Sequence, residues 1–565
     1  MVNKIGFSNF RRFAEFPEID FGDVTILVGG NNSGKSTIVK ALFLCIDNLR
    51  LMRINDRHQN EKKSSFPIPI PLSKPVFRFD GNEFHDVKIK EFSRAIHNQL
   101  VDGSLPTTIT FKFALDQFRF VFVVSGNRDE HFTTGEVERI TIEDTKQNMT
   151  YTYDYTNHMM YLDVVTTDLN ERRQFLSKLY DDFSQAQEVY NKVSREGNLD
   201  DITNAASELD KLRKHVRSMI NGVEEEFSDE TILNILKIFV WEKENLPNHV
   251  SYKLPFGIHI NDFNESVVLN IISTFIHFTQ LKNIRPELNE DSPNYESVME
   301  EYETREAIKQ YKKNFEDTYS RLAILINNLN VEYISAHAAN QNTLYNATNK
   351  NDYIAQVVDE FWREFINEDD DEFKFIQEWM REFEIGDDFE VKVLSPGEAY
   401  TVYIKEKNGA KVHLADKGMG SVQLMVLLLR IATIVKRYDL FNKNITWRDQ
   451  SHYPVIVIEE PEQNLHPKMQ SKLAELFYSL AKDWGCKFLI ETHSEYLVRK
   501  SQVIVAEENY TDEEDLNENN HFKVYYLPSD GSEPYEMKYR IDGKFSNEFG
   551  PGFFDTASDL AFELF

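Results

Sequence analysis

The chain has 565 residues, with 63 Lys and Arg against 93 Asp and Glu and a formal net charge of -30. This excludes a uniformly basic nucleic-acid surface and leaves local patches such as Arg11, Arg12 and Lys40 for any polyanion. Its 41% hydrophobic and 13% aromatic residues exclude a disordered chain, and the length allows two to four domain-sized units.

In chain order, residues 3–28 read as short strands ending in VTILV, followed at once by GGNNSGKST and the apolar-periodic IVKALFLCIDNL: strand, glycine loop, helix. The prolines of EKKSSFPIPIPLSKP, 61–75, mark an extended loop or edge. Alternating text from about 106 to 164 predicts antiparallel β structure. From 170 to 228, apolar residues recur at three- and four-residue spacing on both sides of GNLD, which fits two antiparallel helices. At 1.5 Å per residue they form either a hairpin projecting about 40 Å or part of a plain helical domain. Polar, helical text continues to about 328. From 330 come NVEYISA, an acidic helical region at NEDDDEF, strands at VKVLS and YTVYIKEK, and KVHLADKGMGSVQ opening a long helix. The strands PVIVIEE and CKFLIETH flank the helix PKMQSKLAELFYSLAKDW, and TDEEDLNENN reads as a solvated loop.

Two cysteines in apolar text, Cys45 and Cys486, point away from a disulfide framework and from zinc. The N-terminus lacks the apolar core of a signal peptide, and the longest apolar run, VQLMVLLLRIATIV, is short for a bilayer and carries Arg430. A soluble, cytoplasmic protein with no membrane contact is expected.

GGNNSGKS, Gly29 to Ser36, fits GxxxxGK[ST]. The glycines let backbone N–H groups wrap a triphosphate, Lys35 reaches the β- and γ-phosphates, Ser36 ligates Mg2+, and the following helix points its positive end at the anion. With a triphosphate on Lys35, the buried run VIVIEEP supplies the other half of phosphoryl transfer: Glu459 on the metal side and Glu460 as general base for the attacking water. His493, after the strand CKFLIETH, can hydrogen-bond the γ-phosphate or that water. DKGMGSVQ adds a second anion-binding helix start through Gly418, Gly420 and Ser421. One chain with one lysine-bearing loop has little use for two phosphate grips, and a dimer in which this segment closes on the partner's nucleotide resolves the surplus.

Taken in order, GGNNSGKS, DKGMGSVQ, EEPEQNLHP and ETHSEYL resemble the ABC-type ATPase heads of the RecF, SMC and OLD-like proteins. Within these, the resemblance is closest to the OLD-like ATPases of bacterial defence systems such as Septu and PARIS. It covers about 1–165 and 330–510. It implies an α/β fold, an ABC-type P-loop ATPase head with an antiparallel β subdomain and an inserted helical or short coiled-coil region, using ATP and Mg2+. The expected units are 1–165, 166–329, 330–510 and a C-terminal segment of strands and docking tail, 511–565.

By position, the resemblance implies a Walker A loop at Gly29, Asn31, Asn32, Ser33, Gly34, Lys35, Ser36 and Thr37, and a signature segment at Gly418, Gly420, Ser421 and Gln423. Glu459 and Glu460 match the Walker B acids, Gln463 to His466 the D-loop, and His493 the switch histidine. Glu459 stands where most ABC proteins carry Asp, and GMGSVQ stands for LSGGQ. The Q-loop falls in YISAHAANQNTLYN, where His337 replaces the Arg common in the OLD-like branch and Gln341 is a candidate. OLD-like nucleases append a TOPRIM domain, for which the segment after His493 is too short and too poor in ligands. The implied function is a slow ATPase switch, a homodimer or higher oligomer, that senses nucleic acid and controls a separate nuclease or toxin effector in anti-phage defence. A RecF-like DNA-repair clamp and an ATP-gated scaffold sequestering a toxin are the alternatives.

Overall fold

Strand β3 (Val24–Gly29) is buried at every position, and a run that is covered on both faces belongs in the middle of a layered sheet. The computed structural model describes residues 2–59, 74–80, 89–146, 149–157, 159–165, 170–197, 199–219, 249–255, 325–326, 331–335, 343–349, 352–395, 398–444, 454–550, 553–555 and 563. In it, β3 sits inside a six-stranded sheet with β11 (Val331–Ile334), β16 (Val455–Glu459), β17 (Lys487–Thr492), β18 (Phe522–Leu527) and β19 (Tyr535–Glu536). The order is β11-β16-β17-β3-β18-β19. Every pairing is parallel except β18 with β19.

The two faces of this sheet enter different cores. Val24, Ile26, Ile456, Ile458, Phe488 and Ile490 pack under the helices Tyr353–Arg363, Asp371–Glu382, Met419–Asn444, Pro467–Trp484 and Glu495–Glu507. Leu27, Val455, Val457 and Leu489 face the other way, into the core that holds Ile38, Val39 and Leu42 of the helix Lys35–Gln59. By this alternation, Glu459 and Glu491, two residues beyond Val457 and Leu489, share the face on which the phosphate-loop helix starts.

That second core is completed by a nine-stranded antiparallel sheet: β1 (Val2–Phe10), β2 (Phe13–Asp20), β4 (Val76–Arg78), β5 (Thr108–Leu115), β6 (Phe118–Ser125), β7 (Thr134–Asp144), β8 (Met149–Asp154), β9 (Met159–Val165) and β10 (His249–Pro255). Stacked aromatic pairs join neighbouring strands, Phe7 on Phe16 at 4.6 Å and Phe113 on Phe120 at 4.9 Å. A third sheet holds β12 (Tyr345–Asn346), β13 (Asp388–Ser395), β14 (Ala399–Lys405) and β15 (Lys411–His413).

Three local readings change. β10 pairs with β9 along its whole length although its text was read as part of a helical stretch; Val250, Tyr252 and Leu254 give it the period of two that marks a strand. TDEEDLNENN is not a loop: Asp512 accepts the Asp515 N–H at 2.9 Å and caps a helix, Glu513–Asn519, whose acidic first turn suits its positive end and whose Leu516 is buried. The apolar run carrying Arg430 is longer than its densest text, since Met419–Tyr438 is long and apolar enough to cross a bilayer by composition, yet 72% of that window is buried in the protein. The helices Asn170–Glu196 and Leu199–Met219 lie against each other, with Phe183, Ala205 and Leu209 buried. Most of the Pro-rich stretch and the Q-loop candidates His337 and Gln341 lie outside the described residues.

Arg430 explains how an apolar helix tolerates a charge at its centre. It donates to Glu332 of β11 at 2.8 Å and to Glu360 of the helix Tyr353–Arg363, tying the long helix to the sheet. Arg430→Met leaves Glu332, only 17% exposed, without its cation, and is expected to cost about 3 kcal/mol in urea unfolding.

Candidate functional site

The loop after β3 depends on glycine at two positions. A Cβ on Gly29 would lie 2.4 Å from the Leu527 carbonyl oxygen of β18, and Gly34 combines φ +104° with Phe13 only 2.4 Å from any added Cβ. The loop then enters the helix with the Thr37 N–H donating to the Gly34 carbonyl at 2.9 Å. Lys35, at the helix start, is 3% exposed. Its Nζ donates to the carbonyls of Gly29 at 3.0 Å and Gly30 at 3.2 Å, and lies 3.0 Å from His493 Nε2. A lysine ammonium can only donate, so this Nε2 is the acceptor and the ring carries its proton on Nδ1.

Three carboxylates, Glu491, Glu460 and Glu462, act on that ammonium, and Glu459 lies beside the first of them. Glu459 ends β16 and is paired in parallel register with Glu491, which sits one residue before the end of β17. Glu460 is forced into the left-handed region at φ 42°, a local strain of about 1–2 kcal/mol for a residue with a Cβ. Its N–H donates to the Glu491 carbonyl at 2.7 Å, its carboxylate accepts from the Gln463 amide, and its Oε1 lies 3.8 Å from His493 Nε2. Glu462 accepts the His493 N–H at 2.6 Å, so the loop after β16 and the turn after β17 are joined directly.

Burial dominates the electrostatics. It lowers the affinity of Lys35 for its proton, against the pull of Glu491, Glu460 and Glu462. It lowers that of His493 as well, with Lys35 adding to the effect and Glu460 opposing it. Burial pushes the Glu462 carboxyl up, offset in part by the His493 N–H. The Glu491 carboxyl is pushed up to about 7, by burial first and then by Glu459, with Lys35 opposing.

Three buried oxygens at this crevice have no hydrogen-bond partner: Ser33 Oγ, Glu462 Oε2 and Glu491 Oε2. Each such atom costs about 1–3 kcal/mol, and their gathering around Lys35 fits a polar ligand with an associated cation. Among the described residues no group of three or more His, Cys, Asp and Glu side chains could hold a metal alone. Such a donor set suits a divalent ion completed by phosphate oxygens and water.

Of the residues singled out in the sequence, Gly29, Ser33, Gly34, Lys35, Ser36 and Thr37 line or open this helix start, with Asn31 and Asn32 exposed at its rim, and Glu459, Glu460 and His493 converge on it. Gly418, Gly420, Ser421 and Gln423, at the start of the helix Met419–Asn444, show no contact with Lys35 among the described residues. A Cβ on Gly420 would meet the Asn464 carbonyl at 2.6 Å, and Asn464 donates to Gln423 at 3.3 Å, so this segment rests on Gln463–His466. Gly418 faces open space, with nothing within 4 Å of an added Cβ. Glu462 and Glu491 were missed. Glu491 was legible by the rule that exposed Glu459, since CKFLIETH is another buried strand ending in acid.

A profile of the AAA ATPase domain family matches residues 1–498, and the chain belongs to that family. No curated protein matches the sequence. Similar solved structures include the Smc head domain with an extended coiled coil, bound to the C-terminal domain of ScpA, from Pyrococcus furiosus (10% identity, TM-score 0.31, covering 100% of this chain and 99% of that one). Others are the Smc head domain with coiled coil and joint from Pyrococcus yayanosii (11%, 0.31, 96% and 98%) and the SMC head domain from Thermotoga maritima (10%, 0.32, 95% and 99%).

The Glu491 shift carries a stability signature. Because the folded carboxyl is raised from 4.5 to about 7, the fold takes up a proton between those values and loses stability as pH rises through them. At about 1.4 kcal/mol per unit, the loss is on the order of 3–4 kcal/mol at pH 8. Glu491→Gln, which mimics the protonated form, is expected to raise the unfolding temperature of the nucleotide-free protein at pH 8 and to leave it nearly unchanged at pH 4.5.

Proposed function

We propose that this ATPase is an ATP-driven switch whose catalytic sites are completed between two copies of the chain. The observation that carries the reading is that one of its two anion-binding helix starts is enclosed and the other is bare. Lys35 is enclosed by acids, whereas Gly418 opens the helix Met419–Asn444 onto empty space with its neighbours in the Gln463–His466 loop. A second copy, turned about a two-fold axis, can set that exposed start on the nucleotide held by the first.

Within one site, the N–H groups of Gly29–Thr37 wrap the phosphates and Lys35 moves from the Gly29 and Gly30 carbonyls onto the β- and γ-phosphates. Ser36 and Glu459 would hold Mg2+, which would supply charge neutralisation at the phosphate oxygens. Glu460, oriented by its left-handed backbone and by the Gln463 amide, takes the proton of the attacking water. Once Lys35 leaves His493 Nε2, the neutral ring is free to carry its proton there and donate to the γ-phosphate. Gly420, Ser421 and Gln423 of the second copy close the site. The Septu and PARIS resemblance supports a cytoplasmic role in anti-phage defence, in which encounter with nucleic acid triggers closure and a separate effector nuclease is released.

Glu460→Gln is expected to bind ATP but hydrolyse it about 10²–10⁴-fold more slowly, and light scattering should show its mass rise when Mg-ATP is added. Ser421→Arg should bind ATP with no rise in mass. Full turnover by a protein that stays monomeric would contradict the reading.

A further inference from the structure

The strand order places β17 between β3 and β16, so whatever side chain ends β17 on the phosphate-loop face stands between the loop and Glu459. That side chain is Glu491. Parallel register sets it opposite Glu459 on one side and Leu27 of β3 on the other, and adjacent strands lie only about 4.8 Å apart. It is 9% exposed, its Oε2 has no partner, and the charges it feels are Glu459, Lys35, Glu460 and Lys40. For a carboxylate confined beside two others, with an oxygen left bare, the attraction of Lys35 and Lys40 does not offset burial and the neighbouring acids. Its surroundings become favourable only when positive charge and hydrogen-bond donors arrive together.

We propose that Glu491 is a positioning acid of the metal side of this site, paired with Glu459, whose bare oxygen accepts hydrogen bonds from the water shell of the divalent cation that accompanies ATP. This rests on the reading of Ser36 and Glu459 as its holders. Divalent magnesium keeps several waters and takes one or two carboxylates, so an acid in register with Glu459 and buried behind the phosphate loop has a shell to grip. Glu462, the other acid with a bare oxygen, is already spent on the His493 N–H. Lys35 does not account for Glu491: the ammonium's hydrogen bonds go to Gly29, Gly30 and His493.

The test measures Mn2+ affinity by electron paramagnetic resonance on the full chain, with a non-hydrolysable ATP analogue bound, alongside analogue affinity in EDTA. Glu491→Gln is expected to weaken Mn2+ binding about tenfold, the usual effect of losing an outer-shell partner, while metal-free analogue binding holds and shows that the site is folded. Glu491→Asp should fall between wild type and Gln. Unchanged Mn2+ affinity in Glu491→Gln, with Glu459→Gln clearly weakened, would overturn the proposal and leave the ATPase site as described. Unchanged affinity in both variants would overturn the placement of the metal itself. A change in metal-free analogue binding alone would make Glu491 a counter-ion for Lys35 and would equally overturn it.

Discussion

Keeping the charge of Lys35 out of water is the constraint on which the rest of the site depends. An ammonium 3% exposed needs carbonyls to donate to and acids nearby, because an unpaired buried charge is far more costly than any single contact can offset. The Gly29 and Gly30 carbonyls satisfy two of its protons and His493 the third. Glu491, Glu460 and Glu462 supply the opposing field. These acids come from the ends of two neighbouring strands, so the strand order and the parallel register are what bring them to the loop. The same arrangement leaves Ser33, Glu462 and Glu491 with bare oxygens. These oxygens fit a ligand that brings a cation and hydrogen-bond donors to them.

The parts of this site that lie in continuous text were legible from residues alone. A glycine loop between a buried strand and an apolar helix, and acids after VIVI, are local patterns. What depends on which strands become neighbours was not. Glu491 ends its strand as Glu459 does, but its position between the loop and Glu459 follows from β17 lying between β3 and β16, which no spacing in the chain reveals. The role of Glu462 as a strut for the His493 backbone is likewise visible only once two turns are adjacent. β18 shows the same limit at larger scale, since a strand in the C-terminal segment becomes a direct neighbour of β3, nearly 500 positions away. The short helix Glu513–Asn519 was hidden by its own charge: acidic text reads as solvated loop, although an Asp cap and an acidic first turn favour a helix start.

The helix Met419–Asn444 links the two halves of the account. Its core-facing residues and the Arg430 ion pairs hold it to β11 and to the helix Tyr353–Arg363, so its exposed start is presented rigidly. Asn464 touches Gln423 at that start while the adjoining Gln463 touches Glu460. The loop Gln463–His466 thus connects the Gln423 segment with Glu460, which in the proposed dimer would link the surface offered to a second copy with the general base. A displacement at either end has a short, hydrogen-bonded route to the other.

The central claim is that each catalytic site draws on two chains. Its most direct test mixes two inactive proteins, one carrying Lys35→Ala and the other Ser421→Arg, and measures ATP turnover of the mixture against each alone. In a mixed dimer, Lys35 of the Ser421→Arg chain meets the intact Ser421 of its partner, so one complete site forms. The account predicts that turnover, absent in either protein alone, returns on mixing. Turnover that stays absent in the mixture, with both chains folded and shown to associate, would contradict a site shared between chains.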